Sequence, residues 1–313
     1  MTRFALVLPV LCAGGLVAAT SPAFATFPGQ NGRIAFEGDC DVKTMRPGGG
    51  GLRNLTAGTD KACDSLPNWR ADGRRIVFMS DRETARNPDP RGNRGPDFEL
   101  FVMNRNGGNP RQVTFNEFDD EDPAWSPDGS RIVFARDLNP VRGKVNYDLF
   151  TIAADGTDER RLTDSRGVDD LQPNWSSRGR IAFTSDRDGD DLEVYTMRPD
   201  GSRVRRLTSN KHGDEFPNYS PSGRTVFFHR SRQDNFDVYR VRARGGGIER
   251  LTARDGADGV PAPSPNGRMV AFGSDRHDED QFDLFTMRTG GGGPINRLTD
   301  GEFGFAPDWG VRP

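Results

Sequence analysis

An aspartate stands three residues before a proline at five places in this chain: Asp64 before Pro67, Asp120 before Pro123, Asp170 before Pro173, Asp214 before Pro217 and Asp258 before Pro261. Carboxylates at one fixed position of a repeat can ring a cation, attract a basic surface while repelling polyanions, or supply the acid and base of a glycosidase. The same placement also serves a structural end, because aspartate at a turn accepts hydrogen bonds from nearby backbone amides. Around the second aspartate the acids crowd into Asp119-Asp120-Glu121-Asp122, and the segment from Phe115 to Asp122 carries no Lys or Arg. That excess is more than turn capping needs. It marks Asp119, Asp120, Glu121 and Asp122 as candidates for binding a partner.

Other chemistry is sparse. Asp186, Asp188 and Asp190 alternate along Asp186–Asp191 as calcium ligands can, but Met197 stands where an EF-hand places its bidentate Glu, and a solvated hairpin loop is the competing reading. Calcium there is the one cofactor candidate. The histidines are His212, His229 and His277; no two have metal-ligand spacing, and no G-x-S-x-G turn occurs. A second acidic column, Asp41, Glu99, Asp148, Glu193, Asp237 and Asp283, precedes the third segment of each repeat. Its register with Arg82, Arg187, Arg232 and Arg276 predicts ion pairs across each repeat.

These residues are positioned by a repeat. A Leu-Thr or Val-Thr pair closes each copy, at Thr56, Thr114, Thr163, Thr208, Thr252 and Thr299, and a proline opens the next. Trp69, Trp125, Trp175, Tyr219 and Trp309 follow their prolines by two residues; Pro263 breaks that rule. Turns such as Asp72-Gly73, Asp128-Gly129 and Asn266-Gly267 supply the positive φ that tight hairpins need. The segments they join are β-branched and aromatic, Ile76-Val77-Phe78 and Leu100-Phe101-Val102-Met103 among them. Short strands, hairpin turns and no helical period predict an all-β, six-bladed propeller of four-stranded blades. Copy one begins at its second strand, and Pro307-Asp308-Trp309-Gly310 matches a first strand with no blade after it. The C-terminal strand is therefore expected to join the first blade and close the ring.

Arg3, the apolar run Phe4–Ala19 and Ala23-Phe24-Ala25 read as a cleaved secretory signal over residues 1–25, leaving 26–313 for the propeller. The apolar run is too short to span a membrane, and nothing later is apolar enough. Cys40 and Cys63 remain in a chain bound for an oxidising compartment, where they are expected to pair; two free thiols are the alternative. A net charge of -3 gives no nucleic-acid signature.

Pro-x-Trp-Ser-Pro-Asp-Gly, intact at Pro123–Gly129, with Ser-Asp-Arg at Ser80–Arg82, Ser185–Arg187 and Ser274–Arg276 and the Leu-Thr endings, resembles the WD-like (PD40) repeats of the TolB β-propeller family. The resemblance runs from residue 27 to 313 and implies a secreted or periplasmic propeller that binds partner proteins. TolB itself carries a further N-terminal domain, for which the residues between Ala25 and Asn31 leave no room. Similar blades occur in peptidases and polysaccharide lyases. In a propeller the loops between strands two and three and between blades share one face, which here carries insertions at Glu83–Pro96 and Asp137–Asn146. The five aspartates Asp64, Asp120, Asp170, Asp214 and Asp258 are expected to rim the channel on that face. The function expected is a monomeric, non-catalytic binding module or scaffold, its acidic face taking a basic protein or cell-envelope component. The alternative is a lyase or glycoside hydrolase with carboxylates at the channel mouth.

Overall fold

The computed structural model describes residues 27–58, 62–82, 97–139, 145–189, 191–232, 235–253, 256–278, 281–301 and 303–313. The expected signal at 1–25 and the insertion at 83–96 lie outside them, as do residues 140–144 of the second insertion. Blade 1 holds β1 (Asn31–Gly38), β2 (Asp41–Arg46) and β3 (Gly49–Asn54), and blade 2 holds β4 (Asp64–Trp69), β5 (Arg75–Ser80), β6 (Glu99–Asn104) and β7 (Arg111–Gln112). Blade 3 is β8 (Asp120–Trp125), β9 (Arg131–Asp137), β10 (Tyr147–Ala153) and β11 (Arg160–Arg161); blade 4 is β12 (Asp170–Trp175), β13 (Ile181–Ser185), β14 (Glu193–Met197) and β15 (Arg205–Arg206). Blade 5 is β16 (Asp214–Tyr219), β17 (Thr225–Arg232), β18 (Asn235–Arg242) and β19 (Glu249–Arg250); blade 6 is β20 (Asp258–Pro263), β21 (Met269–Ser274), β22 (Asp283–Arg288) and β23 (Asn296–Arg297). The last strand, β24 (Phe305–Val311), returns to blade 1.

Each blade is an antiparallel four-stranded sheet, and the sheet order β24-β1-β2-β3 makes the C-terminal strand the innermost of blade 1. Ile34 pairs with Trp309 and Ala35 with Asp308 across that seam. The interlock supplies blade 1 with its inner strand. The core lies between blades. Trp69, Trp125, Trp175, Tyr219 and Trp309 are all buried, each among the middle-strand aliphatic and aromatic residues of neighbouring sheets. Burying a side chain of this size contributes about 2 kcal/mol or more.

The Thr anchors earn their place through hydrogen bonds. Thr56, Thr114, Thr163, Thr208, Thr252 and Thr299 each accept, at Oγ1, a backbone amide near the start of the third strand, at 2.9–3.0 Å. Thr163 and Thr299 also donate to Asp148 and Asp283 of the acidic column. Four of its six members pair with the arginine two residues before the Thr: Arg161 with Asp148, Arg206 with Glu193, Arg250 with Asp237 and Arg297 with Asp283. This corrects the sequence expectation, which gave the column to Arg82, Arg187, Arg232 and Arg276. Glycines in the turns before the fourth strand let blades close up: a Cβ on Gly201, at φ +80°, would sit 2.3 Å from the carbonyl oxygen of Leu162 in the previous blade.

Five of the six innermost strands begin at the aspartate rather than at the proline, β24 beginning at Phe305, and each bulges just before the proline. Leu66, Asp122, Gln172, Phe216, Val260 and Ala306 all hold positive φ, between 45° and 53°. The register breaks there in every blade, between Ser65 and Asn68 in blade 2 and between Glu121 and Ala124 in blade 3. The bulge turns these six residues and their prolines toward the central channel.

Candidate binding face and central channel

The five repeat aspartates sit at the first position of the inner strands, and all are buried. Each carboxylate meets one guanidinium: Arg82–Asp64, Arg187–Asp170, Arg230–Asp214 and Arg276–Asp258 at 2.6 Å and Arg136–Asp120 at 2.5 Å. Two local sequences place that guanidinium. In blades 3 and 5 Arg136 and Arg230 stand directly opposite the aspartate in the strand ladder. In blades 2, 4 and 6 a serine stands opposite, and the arginine two residues on folds back, donating Nε–H to the hydroxyl of Ser80, Ser185 or Ser274. Every one of these arginines lies over two stacked rings, as Arg187 lies 5.1 Å from Phe183 and 5.2 Å from Tyr195. The carboxylates are thus spent inside the blades and do not open onto solvent at the mouth. Burial raises the pKa of Asp120, Asp170 and Asp214 while the facing arginine opposes it.

Asp119, Glu121 and Asp122 behave differently. Asp119 accepts the Phe98 amide at 2.9 Å, and Asp122 the Gln172 amide at 3.2 Å. Glu121 accepts the Tyr147 hydroxyl at 3.2 Å, and burial, followed by Asp122 and Asp119, pushes its carboxyl up to about 8. Asp137 adds to that repulsion from the end of β9, and Asp169 caps the Tyr147 amide at 2.9 Å. These acids gather where blades 3 and 4 meet, and Glu121 has no ion pair among the described residues. Sequence reasoning did not join Asp137 and Asp169 to the group, because β9, β10 and the loop before β12 converge only in the fold.

The channel is lined by the residues at and beside the six prolines, including Asn68, Asp122, Gln172, Asn174, Asn218 and Asp308, around a cavity of about 80 Å³. Its wall is stitched from blade to blade. Asp308 accepts the Trp69 amide at 2.6 Å, Asn68 the Trp125 amide at 3.0 Å and Asn174 the Tyr219 amide at 3.2 Å. Gln172 accepts the Phe216 amide at 3.0 Å, and His229 Nδ1 accepts the Val260 amide at 3.3 Å. Burial raises Asp122 and Asp308 to about 6 and lowers His229 to about 3. Asp308 was not singled out in the sequence, although Pro307-Asp308 places it one residue past the proline, where Asn68 and Asn174 stand in other blades.

Asp186 caps the Asp169 amide and Asp188 accepts the Tyr195 hydroxyl, both through side-chain oxygens, while Asp190 lies outside the described residues. No group of three His, Cys, Asp or Glu side chains among the described residues is arranged to hold a metal ion. Cys40 and Cys63 form a disulfide with Cα atoms 4.3 Å apart. It ties the β1–β2 turn to the start of β4, beside a hydrogen bond from the Asp64 amide to the Cys40 carbonyl at 2.9 Å.

The model of the TolB beta propeller domain (PD40) matches residues 140–309. An uncharacterized protein of Agrobacterium fabrum is 35% identical over 118 residues, which are 37% of this chain and 38% of the relative. A TolB homolog of Chlorobium luteolum is 30% identical over 141 residues, 44% of this chain and 27% of the relative. The matched segments therefore span well under half of either relative. The crystal structure of TolB from Acinetobacter baumannii superposes with a TM-score of 0.71 at 20% identity, covering 91% of this chain and 68% of that one, a likeness of fold. With more than half of its length matched by the family model and six blades of the expected construction, the chain belongs to the TolB β-propeller (PD40) family.

Proposed function

We propose that this propeller is an exported, monomeric, non-catalytic binding module whose inter-blade loop face takes a basic segment of a protein or cell-envelope component. One observation carries the reading: Asp119, Glu121, Asp122 and Asp137 gather where blades 3 and 4 meet with no ion pair to Glu121 among the described residues, and burial and then the neighbouring acids hold a proton on Glu121 near neutrality that a cationic partner would displace. The contrast with Asp120, already neutralised by Arg136, separates the contact residues Asp119, Glu121 and Asp122 from the one that organises the strand. Similarity to TolB propellers supports a binding role, and the apolar run at the N-terminus supports export. Among the described residues no helix is long and apolar enough to cross a membrane.

The test is titration with an arginine- and lysine-rich peptide at rising salt. Binding should weaken with ionic strength and be lost in the Asp119→Asn, Glu121→Gln variant. Salt-insensitive binding, or an undiminished variant, overturns the electrostatic reading. A second reading, a carbohydrate-active enzyme, draws on Asp122 and Asp308, two channel carboxylates whose raised pKa suits acid–base work. Turnover of uronic-acid polymers that disappears in Asp308→Asn would establish it.

A further inference from the structure

The face opposite the acidic loops is built from the turns between strands one and two and between strands three and four, and its exposed arginines outnumber its exposed acids, which include Asp128, Asp155, Asp158 and Asp200. Beside the turns between strands three and four stand Arg105, Arg198, Arg203, Arg244 and Arg288, with Arg53 further along the fourth strand of blade 1, all exposed and spread over blades 1, 2, 4, 5 and 6. Arg74, Arg224 and Arg268 occupy the turns between strands one and two in blades 2, 5 and 6, also exposed. The acids on this face are engaged in the turns themselves: Asp128 accepts from Ser126 and Ser130, Asp155 from Thr157, Asp200 from Ser202, and Asp158 pairs with Arg131 and Arg160. Crowding of like charge is already felt in blade 1, where burial and then Arg53, Arg46 and Arg105 lower the pKa of Arg33. The small net charge of -3 therefore hides a polarised molecule, acidic at one end of the channel and basic at the other.

Three details narrow the partner. The positive groups are spread across the ends of the blades rather than gathered in a groove, so they suit an extended surface. Lysine occurs only at Lys43, Lys61, Lys144 and Lys211, none of them in these turns, and the guanidinium fork is the group that matches phosphate oxygens in bidentate fashion. Leu52, Val204 and Ile248 occupy one equivalent position, four residues before the Thr anchor, and are 44%, 39% and 42% exposed. Val204 lies between Arg203 and Arg205 and Leu52 beside Arg53, so apolar side chains stand within the basic field. Basic residues interleaved with exposed apolar ones are the composition that engages anionic headgroups and the acyl boundary beneath them.

We propose that this arginine face docks the propeller flat on a membrane surface bearing anionic phospholipid headgroups, leaving the acidic loop face turned away from the bilayer. The proposal goes beyond the binding function above and does not depend on it.

The chain from residue 26 onward is sedimented with vesicles of phosphatidylcholine alone and of phosphatidylcholine mixed with phosphatidylglycerol. Co-sedimentation is expected with the mixed vesicles only, decreasing with salt. Arg53→Gln, Arg203→Gln, Arg244→Gln and Arg288→Gln combined should weaken it by roughly tenfold or more, and Val204→Ser with Ile248→Ser should weaken it at high salt, where the apolar contribution remains. All these sites are exposed, and unchanged melting confirms folding. The Asp119→Asn, Glu121→Gln variant should bind vesicles as before. Equal binding to both vesicle types, none to either, or insensitivity to the arginine changes overturns the proposal. So does saturation by inorganic phosphate or polyphosphate without vesicle binding, which would make the face a site for free phosphate. The vesicle comparison and its salt dependence need no variant, so the proposal stays falsifiable if one misfolds.

Discussion

Arg136 reaches both oxygens of Asp120, through Nε at 2.5 Å and Nη2 at 2.9 Å, while its guanidinium lies 4.7 Å from the Phe150 ring centroid and also bonds Glu159. The same three-part contact of aspartate, arginine and paired rings recurs in blades 2, 4, 5 and 6. Desolvating two charges is costly, and only complete pairing and the favourable ring faces offset it.

Removing one partner of such a pair strands the other. Arg187→Met should lower stability by about 3–5 kcal/mol because Asp170 is left buried without its counter-charge. Adding Asp170→Leu should recover a large part of the loss, since an apolar pair of similar volume carries no desolvation cost. Denaturant midpoints of the two single variants and the double variant form the cycle. A loss below about 1 kcal/mol for Arg187→Met would place the pair with ordinary surface contacts.

The buried acids and the buried histidine set opposite pH limits. Glu121 titrates near 8 in the folded chain against an ordinary value of 4.5, so between those values the folded state holds a proton that the unfolded state has released. Its contribution is full below pH 4.5 and is lost as pH rises through 8. Asp122 and Asp308 act in the same direction between 3.8 and about 6. His229 acts the other way: its folded value near 3 lies below the ordinary 6.5, so its contribution is present above 6.5 and lost as pH falls toward 3. Tm measured from pH 4 to pH 9 should therefore decline between about pH 6.5 and 8 and level off above that, and Glu121→Gln should reduce the decline, leaving the share of Glu99, which burial and Asp120 also push up to about 8. An unchanged slope in the variant would show that Glu121 is not the titrating group.

How much of this was legible follows from what each residue's position depends on. Turn glycines, the Thr anchors and the Trp rule act within a few residues of themselves, so six blades and the closing role of Trp309 could be read directly. The direction of a side chain at the inner strand could not. Asp64 stands three residues before Pro67, and simple alternation is broken by the bulge at Leu66, which decides what faces the blade and what faces the channel. Asp64 is buried on Arg82 as a result, while Asp308, one residue past its proline, looks into the channel. The partner of Arg187 was equally hidden, because its fold-back onto Ser185 depends on Asp170 standing opposite that serine.

Blade 1 lacks the shared contact: Gly304 takes the place of the aspartate, and Lys43, paired with Phe36, the place of the second ring. The Cys40–Cys63 disulfide stands in that blade and closes a sequence separation of 23 residues. Chain entropy assigns it about 3 kcal/mol. Cys40→Ser with Cys63→Ser should lower stability by about that amount, and reducing agent should shift the wild-type denaturant midpoint equally while leaving the variant unmoved. A midpoint indifferent to reductant would mean that blade 1 is held against blade 2 without the disulfide.

Val260 is β-branched yet holds φ at +49° immediately before Pro261, a conformation that costs a branched side chain about 1–3 kcal/mol. The bulge that demands it also aims the Val260 amide at His229 Nδ1, so the hydrogen bond and the channel wall depend on the strained backbone. Asn tolerates the left-handed region far better and keeps the amide. Val260→Asn should therefore raise stability by about 1 kcal/mol, whereas Gln172→Val, which puts a branched residue at φ +52° and deletes the acceptor for the Phe216 amide, should lower it by about 2–3 kcal/mol. Denaturant midpoints would measure both. Opposite signs for the two exchanges are required if strain at the bulge, rather than apolar lining, governs this position; a loss in both would mean that the channel needs Val260 for its packing.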